Sequence, residues 1–385
     1  MLNHKIKYFC LTLILPMLVA CTQKVPQNNA NVMAASISTD GNYVITTNAH
    51  FDAILWNLKV KTYKILSTNA NRYSAYFIKN TNDFLYQDAT TKEVYVIDTN
   101  GNVITHFNPG FSSYGQAMTS DLSTYIAVDQ NDQVFTIENN KKTQLLWHWC
   151  GPSYQDETPA PTGKPYSCGS FIGDGKLFNI SLTNDNSYFT TSGFSEIYIW
   201  NLPERKLVSH ITLSDAQSLA LIDPNNRYII YGDLKAQLFK CNLSTNTCQH
   251  FFVIPEQLPN EPENYQNMAD GIQSIKFITK NDYLIFYQGI PDIFPFAALY
   301  SLDAKTTLIQ RPGYSFYTMT PKYLSLLGDN KIFPALQDFV RDQAIDTSPS
   351  AHILVMAQQN GNGILVYQYD PKSQTLKQVW APTIQ

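Results

Sequence analysis

Polar turns recur along the chain at regular intervals, and short runs of alternating apolar and polar residues lie between them. The first such stretch reads as four strands, Ala34–Ser38, Tyr43–Asn48, Ala53–Leu58 and Thr62–Leu66, each of the length and half-buried alternation expected of a β-strand. Two segments are near copies of each other, Ile54-Leu55-Trp56-Asn57-Leu58 and Tyr198-Ile199-Trp200-Asn201-Leu202. Each tryptophan follows a strand-opening aromatic by 12–13 residues, Tyr43 before Trp56 and Tyr188 before Trp200. A polar turn precedes each aromatic, Thr39-Asp40-Gly41-Asn42 in one case and Thr183-Asn184-Asp185-Asn186-Ser187 in the other. The same unit returns more weakly from Phe84 to Ile97, Tyr125 to Ile137, Tyr228 to Cys241, Tyr283 to Tyr300 and His352 to Tyr367.

Seven units follow, with tryptophan-equivalent positions at 56, 97, 137, 200, 241, 300 and 367. Uninterrupted units are spaced by 41, 40 and 41 residues; the other spacings, 63, 59 and 67, each hold an insertion. A period near 40–45 residues with a tryptophan ending the third strand resembles the WD40 repeat. The resemblance covers about residues 34–381. It departs from that family in placing Asn57 and Asn201 after the tryptophans and in having no Gly-His pair. The implied fold is all-β, a seven-bladed WD40-like β-propeller, in which radial packing covers both faces of each small sheet. Apolar runs such as Tyr228-Ile229-Ile230-Tyr231 and Tyr283-Leu284-Ile285-Phe286-Tyr287 suit strands buried on both faces. Before the last unit, Pro334–Ala344 reads either as a short amphipathic helix or, at its end, as the innermost strand of the last blade; Tyr314–Leu327 could also be strand.

The N-terminus has a different pattern. Lys5 and Lys7 precede an apolar run, Phe9–Val19, that is too short to span a bilayer and fits a secretory signal. It ends in Leu18-Val19-Ala20-Cys21, which resembles the lipobox of bacterial lipoproteins. The resemblance implies cleavage before Cys21 and acylation of that cysteine; an ordinary signal peptide is the alternative. Thr22 rather than Asp follows the cysteine, which in that family implies the outer membrane, on its periplasmic side or at the surface. The expected organisation is a signal peptide at 1–20, a lipidated Cys21 with a polar tether to residue 33, and the propeller at 34–385.

Composition narrows the class. Aromatics make up 13% of the chain, with 24 Tyr and 21 Phe, and charged residues only 15%, a balance that favours a strand-rich core. The net charge of −4 argues against nucleic acid as a partner. Cleavage after Ala20 would remove two lysines and no acid, leaving 25 basic against 31 acidic residues. Membrane contact would then run through the lipid on Cys21.

Four cysteines remain after cleavage, Cys150, Cys168, Cys241 and Cys248. Cys241 and Cys248 flank a predicted hairpin as directly opposed residues, close to disulfide geometry. Cys150 and Cys168 would then close the first insertion. The alternative for that insertion, a metal site of His148, Cys150 and Cys168, lacks a fourth ligand. Catalytic, metal and cofactor motifs are otherwise not found. Propeller enzymes, however, assemble residues from separate blades without a local motif.

Recognition is expected in the insertions. His148–Gly173 carries Trp149, Tyr154, Tyr166 and Phe171, and Gly289–Ala297 carries Ile293, Phe294 and Phe296. These aromatic and apolar loops either meet a partner or cover the propeller itself. Ile254–Gly271 has four acids and no base and reads as solvated. The resulting expectation is an interaction scaffold in an envelope protein complex, without a cofactor. The rival is a propeller that binds or acts on envelope glycans or peptides, which predicts carboxylates or histidines from several blades converging at the channel.

Overall fold

The structure is a computed structural model. It describes residues 31–148, 166–167, 177–217, 220–232, 237–245, 247–253, 272–287, 297–301, 344–358, 363–373, 375–382 and 384. Every named element among the described residues is a β-strand.

Seven small antiparallel sheets follow one another along the chain. The first contains β1 (Val32–Ile37), β2 (Tyr43–Asn48), β3 (Ala53–Asn57) and β4 (Thr62–Ser67). The second contains β5 (Tyr76–Phe77), β6 (Phe84–Gln87), β7 (Val94–Ile97) and β8 (Val103–Phe107). The third runs from β9 (Gly115–Met118) through β10 (Thr124–Val128) and β11 (Val134–Glu138) to β12 (Lys141–His148), with β13 (Tyr166–Ser167) added in parallel to the end of β12. The fourth has β14 (Leu177–Leu182), β15 (Tyr188–Asn201) and β16 (Lys206–Gln217). The fifth has β17 (Leu221–Ile222), β18 (Tyr228–Gly232), β19 (Gln237–Asn242) and β20 (Cys248–Val253). The sixth has β21 (Ile272–Phe277), β22 (Asp282–Tyr287) and β23 (Ala297–Ser301), and the seventh β24 (Ile345–Ser348), β25 (Ile353–Ala357), β26 (Ile364–Asp370) and β27 (Thr375–Trp380).

The long strand β15 hides a hairpin. Its first half pairs with β14 and its second with β16. Leu202 N donates to Ser187 O at 3.0 Å, and Trp200 Nε1 donates to Thr191 Oγ1 at 3.2 Å, so the two halves lie against each other. The first sheet makes the same two bonds, Leu58 N to Asn42 O and Trp56 Nε1 to Thr46 Oγ1, both 2.8 Å. Six sheets thus form complete four-stranded blades. β21–β23 shows three strands, and residues 302–343 after it lie outside the described residues. Among the described residues six complete blades are found where seven were expected, and the fold class is the expected all-β propeller.

Each sheet packs its apolar face on the next. Ile45, Leu55 and Phe84 join the first two sheets, and Leu85, Val96, Tyr125 and Ile137 the second and third. Val128, Leu146, Phe189 and Trp200 join the third and fourth, and Ile199, Ile229 and Cys241 the fourth and fifth. Strand β18 meets β21, and β21 meets β24. The ring closes where Val44, Ile54 and Trp56 pack on Val355, Ile364 and Val366. Every sheet is built from consecutive strands, so among the described residues no strand is shared between the two ends of the chain. Closure rests on side chains and on bonds such as Ser348 Oγ to Thr39 O at 2.7 Å.

Asn57 and Asn201 have a visible role. The Asn57 side-chain oxygen accepts the N–H groups of Lys59 and Val60, and that of Asn201 accepts Glu204 N. Asn242 and Asp98 do the same in their own turns. Either an amide or a carboxylate oxygen serves an Asx turn, so the departure from aspartate costs the turn nothing. The Cys241–Cys248 disulfide forms across the expected directly opposed pair, with Cα atoms 3.9 Å apart. Cys21, Cys150 and Cys168 lie outside the described residues, as do most of Pro334–Ala344 and all of Tyr314–Leu327. The innermost strand of the last sheet starts just after that first segment, at Ile345.

Candidate functional site

Inner strands β1, β5, β9, β14, β17, β21 and β24 surround a central cavity of about 470 Å³. Equivalent positions on these strands form rungs around it. One rung carries Ser36, Tyr76, Ser181, Leu221, Lys276 and Asp346. The turns that follow the inner strands add Thr39, Lys79, Asn80, Asn184, Lys280 and Ser350 at one mouth. Ahead of β5 and β9, Tyr73 and Tyr114 stack at 6.3 Å between centroids and line the other end.

Asp346 is the sole acid among the described cavity-lining residues. Its Oδ2 accepts Ser36 Oγ at 3.0 Å and Ile37 N at 2.9 Å, across the junction of the last and first sheets. Ser36 Oγ in turn accepts Phe77 N at 3.0 Å, so one chain of bonds ties three sheets together. Thr347 Oγ1 donates to Phe277 O at 2.6 Å, placing Lys276 and Asp346 on one level of neighbouring strands. Burial pushes the Asp346 carboxyl above its usual range, and the Lys276 ammonium, the Ile37 and Thr347 N–H groups and the Ser36 hydroxyl draw it back. The side chain keeps partial exposure to the cavity, which softens that upward push.

Lys79 stands on the turn after β5 and donates through Nζ to Leu182 O, two sheets further round the ring. Burial lowers its pKa to about 8, against an opposing pull from Asp346. It remains mostly charged at neutral pH. Tyr76 is held protonated, because burial and the Asp346 charge both push its hydroxyl upward. Gln116 is committed to the framework, since its Oε1 accepts Tyr125 Oη at 2.8 Å and its amide donates to Ser74 O. Asn179 likewise donates to Ala220 O at 2.9 Å.

The chemistry of this arrangement is charge recognition. Among the described residues, three ammonium groups, Lys79, Lys276 and Lys280, share a cavity with one carboxylate, Asp346. Among the described residues no three His, Cys, Asp or Glu side chains come together as a metal-ligand set. No described helix is long and apolar enough to cross a membrane.

Trp149, Tyr154, Phe171, Ile293, Phe294 and Phe296 lie outside the described residues. The backbone of Tyr166 is described in β13, where it pairs with Trp147. None of the channel residues was a sequence candidate. Each is a single polar residue in an inner strand or turn, and only the general expectation of convergence between blades pointed to them.

No family model matches the chain, and no curated protein matches it. Among solved structures it is similar to hydrazine synthase of Kuenenia stuttgartiensis, at 11% identity and a TM-score of 0.55, over 90% of this chain and 98% of that one. At this identity the likeness is one of fold alone.

Proposed function

We propose that this protein is a lipid-anchored propeller of the bacterial envelope that works by binding, as an interaction scaffold within an envelope protein complex. The observation that carries the anchoring is Leu18-Val19-Ala20-Cys21 at the end of the apolar run Phe9–Val19. The binding role is supported by the closed ring of sheets, a rigid frame that presents loops of unequal length. In this reading acylated Cys21 holds the protein at the outer membrane, on the periplasmic side, and residues 22–33 give the propeller reach. Acyl chains suffice without basic residues, since each buried methylene contributes about 0.8 kcal/mol.

The test is affinity isolation of the tagged full-length protein from crosslinked envelopes, beside a Cys21→Ala variant. Recovery of one envelope assembly in stoichiometric amounts, dependent on Cys21, supports the scaffold. Recovery of abundant lipoproteins alone overturns it. Acylation is read separately, by mass spectrometry of the N-terminal peptide.

A second reading is favoured by one observation. Tyr76 and Lys79, Lys276, and Asp346 come from three different sheets and meet in one cavity. Such convergence is what a propeller that binds or acts on envelope glycans or peptides requires.

A further inference from the structure

The charge in the cavity is out of keeping with the rest of the molecule. The whole chain carries −4, yet among the described residues the cavity lining holds Lys79, Lys276 and Lys280 against Asp346. Gathering like charges around a confined space is unfavourable, and more so where protein displaces water. Asp346 acts electrostatically on both Lys79 and Lys276. That carboxylate is also engaged, through Oδ2, by Ser36 Oγ and Ile37 N. The Lys79 ammonium has three donors, of which one meets Leu182 O. Lys280 sits exposed on the rim. The cations among the described lining residues are lysines, which bind as point charges rather than by a planar fork. A volume of about 470 Å³ lies within the range of small-molecule sites. The hydroxyl and amide groups of Thr39, Asn80, Asn184 and Ser350 ring the same mouth.

We propose that this mouth of the propeller channel is a binding site for a small oxyanion, a molecule bearing a carboxylate or phosphate group, held by Lys79, Lys276 and Lys280. Asp346 keeps Lys276 in place from the neighbouring strand. The inference rests on the channel alone and stands with or without the anchor on Cys21 or a protein partner.

The experiment is calorimetric titration of the full-length protein in neutral detergent at pH 7 and low salt, with inorganic phosphate in one arm and succinate in the other. Saturable one-site binding in either arm is expected, and the arm that binds more tightly names the oxyanion class. Lys276→Met should weaken it by about tenfold or more, the usual effect of losing a charge-assisted contact. Lys280→Gln, on the exposed rim, should weaken it less and leave the fold intact, so a misfolded Lys276→Met does not end the test. Lys59→Met, on an outer turn, should change nothing. Absence of saturation in both arms up to on the order of 10 mM overturns the site. So does equal binding by wild type and Lys280→Gln, or an equal loss in Lys59→Met.

Discussion

Trp56 and Trp200 show how one residue type serves both packing and hydrogen bonding. Both are fully buried, and each indole N–H meets a threonine hydroxyl on the neighbouring strand. Thr46→Val should keep the shape and leave the Trp56 N–H without its acceptor, a loss of about 1–3 kcal/mol, read by urea denaturation. A change below a few tenths of a kcal/mol would show that the bond contributes nothing. Lys79 gives a second prediction. Its folded pKa, near 8, lies below the ordinary 10.5. Between those values the unfolded chain holds the proton and the folded chain releases it, so stability rises with pH. Tyr76 and Tyr125 act in the opposite sense above about pH 10, since burial raises their pKa values and the folded state resists their ionisation. The clean readout is therefore wild type against Lys79→Met from pH 7 to pH 10. The wild type should gain stability relative to the variant across that window, and parallel curves would remove Lys79 from the account.

Elements were legible because their signals are local. The strand-opening aromatics and tryptophan equivalents fall at or next to paired positions, as in Phe84 with Ile97, Tyr125 with Ile137 and Tyr283 with Tyr300. The polar turns are legible for the same reason: hydrogen bonds from Thr119 and Ser123 hold Asp121 below its usual range. The hairpin of β19 and β20 is the case where register decided chemistry. With Cys241 opposite Cys248, a disulfide closes a seven-residue separation. A loop this short contributes about 2–3 kcal/mol in the chain-entropy model. Cys248→Ser should lower the urea midpoint accordingly under non-reducing conditions. An unchanged midpoint would mean that the turn, capped by Asn242, already enforces the hairpin.

At the scale of the molecule, the junction of first and last sheets is the place to probe. Among the described residues no strand crosses it, and it is held by the Trp56–Val366 core, by Asp346 and by close approach at Gly41. Gly41 has φ +72°, and a Cβ there would lie 2.4 Å from Ala351 Cβ. Gly41→Ala therefore meets both a left-handed backbone and a steric clash, and about 2–4 kcal/mol of destabilisation is expected. Because every sheet relies on two neighbours, the loss should appear as one cooperative transition at lower temperature. A separate early transition, with the remainder unchanged, would show that the ring does not fold as a unit.

The amino-acid sequence by itself determined the repeat, its near-forty-residue period, the strands within each unit, the capped turns and the Cys241–Cys248 pair. Apart from the period, which is the unit repeated, these depend on residues within about a dozen positions of each other, where pattern and geometry are coupled directly. It also carried the N-terminal Leu18–Cys21 motif, a linear signal independent of folding. Only the tertiary structure decided that Lys79, Lys276, Lys280 and Asp346 share one cavity. They are up to 267 positions apart, and each taken alone is an ordinary polar residue of a strand or turn. Their meeting is a property of ring closure, which brings the last inner strand beside the first, and no spacing along the chain encodes it.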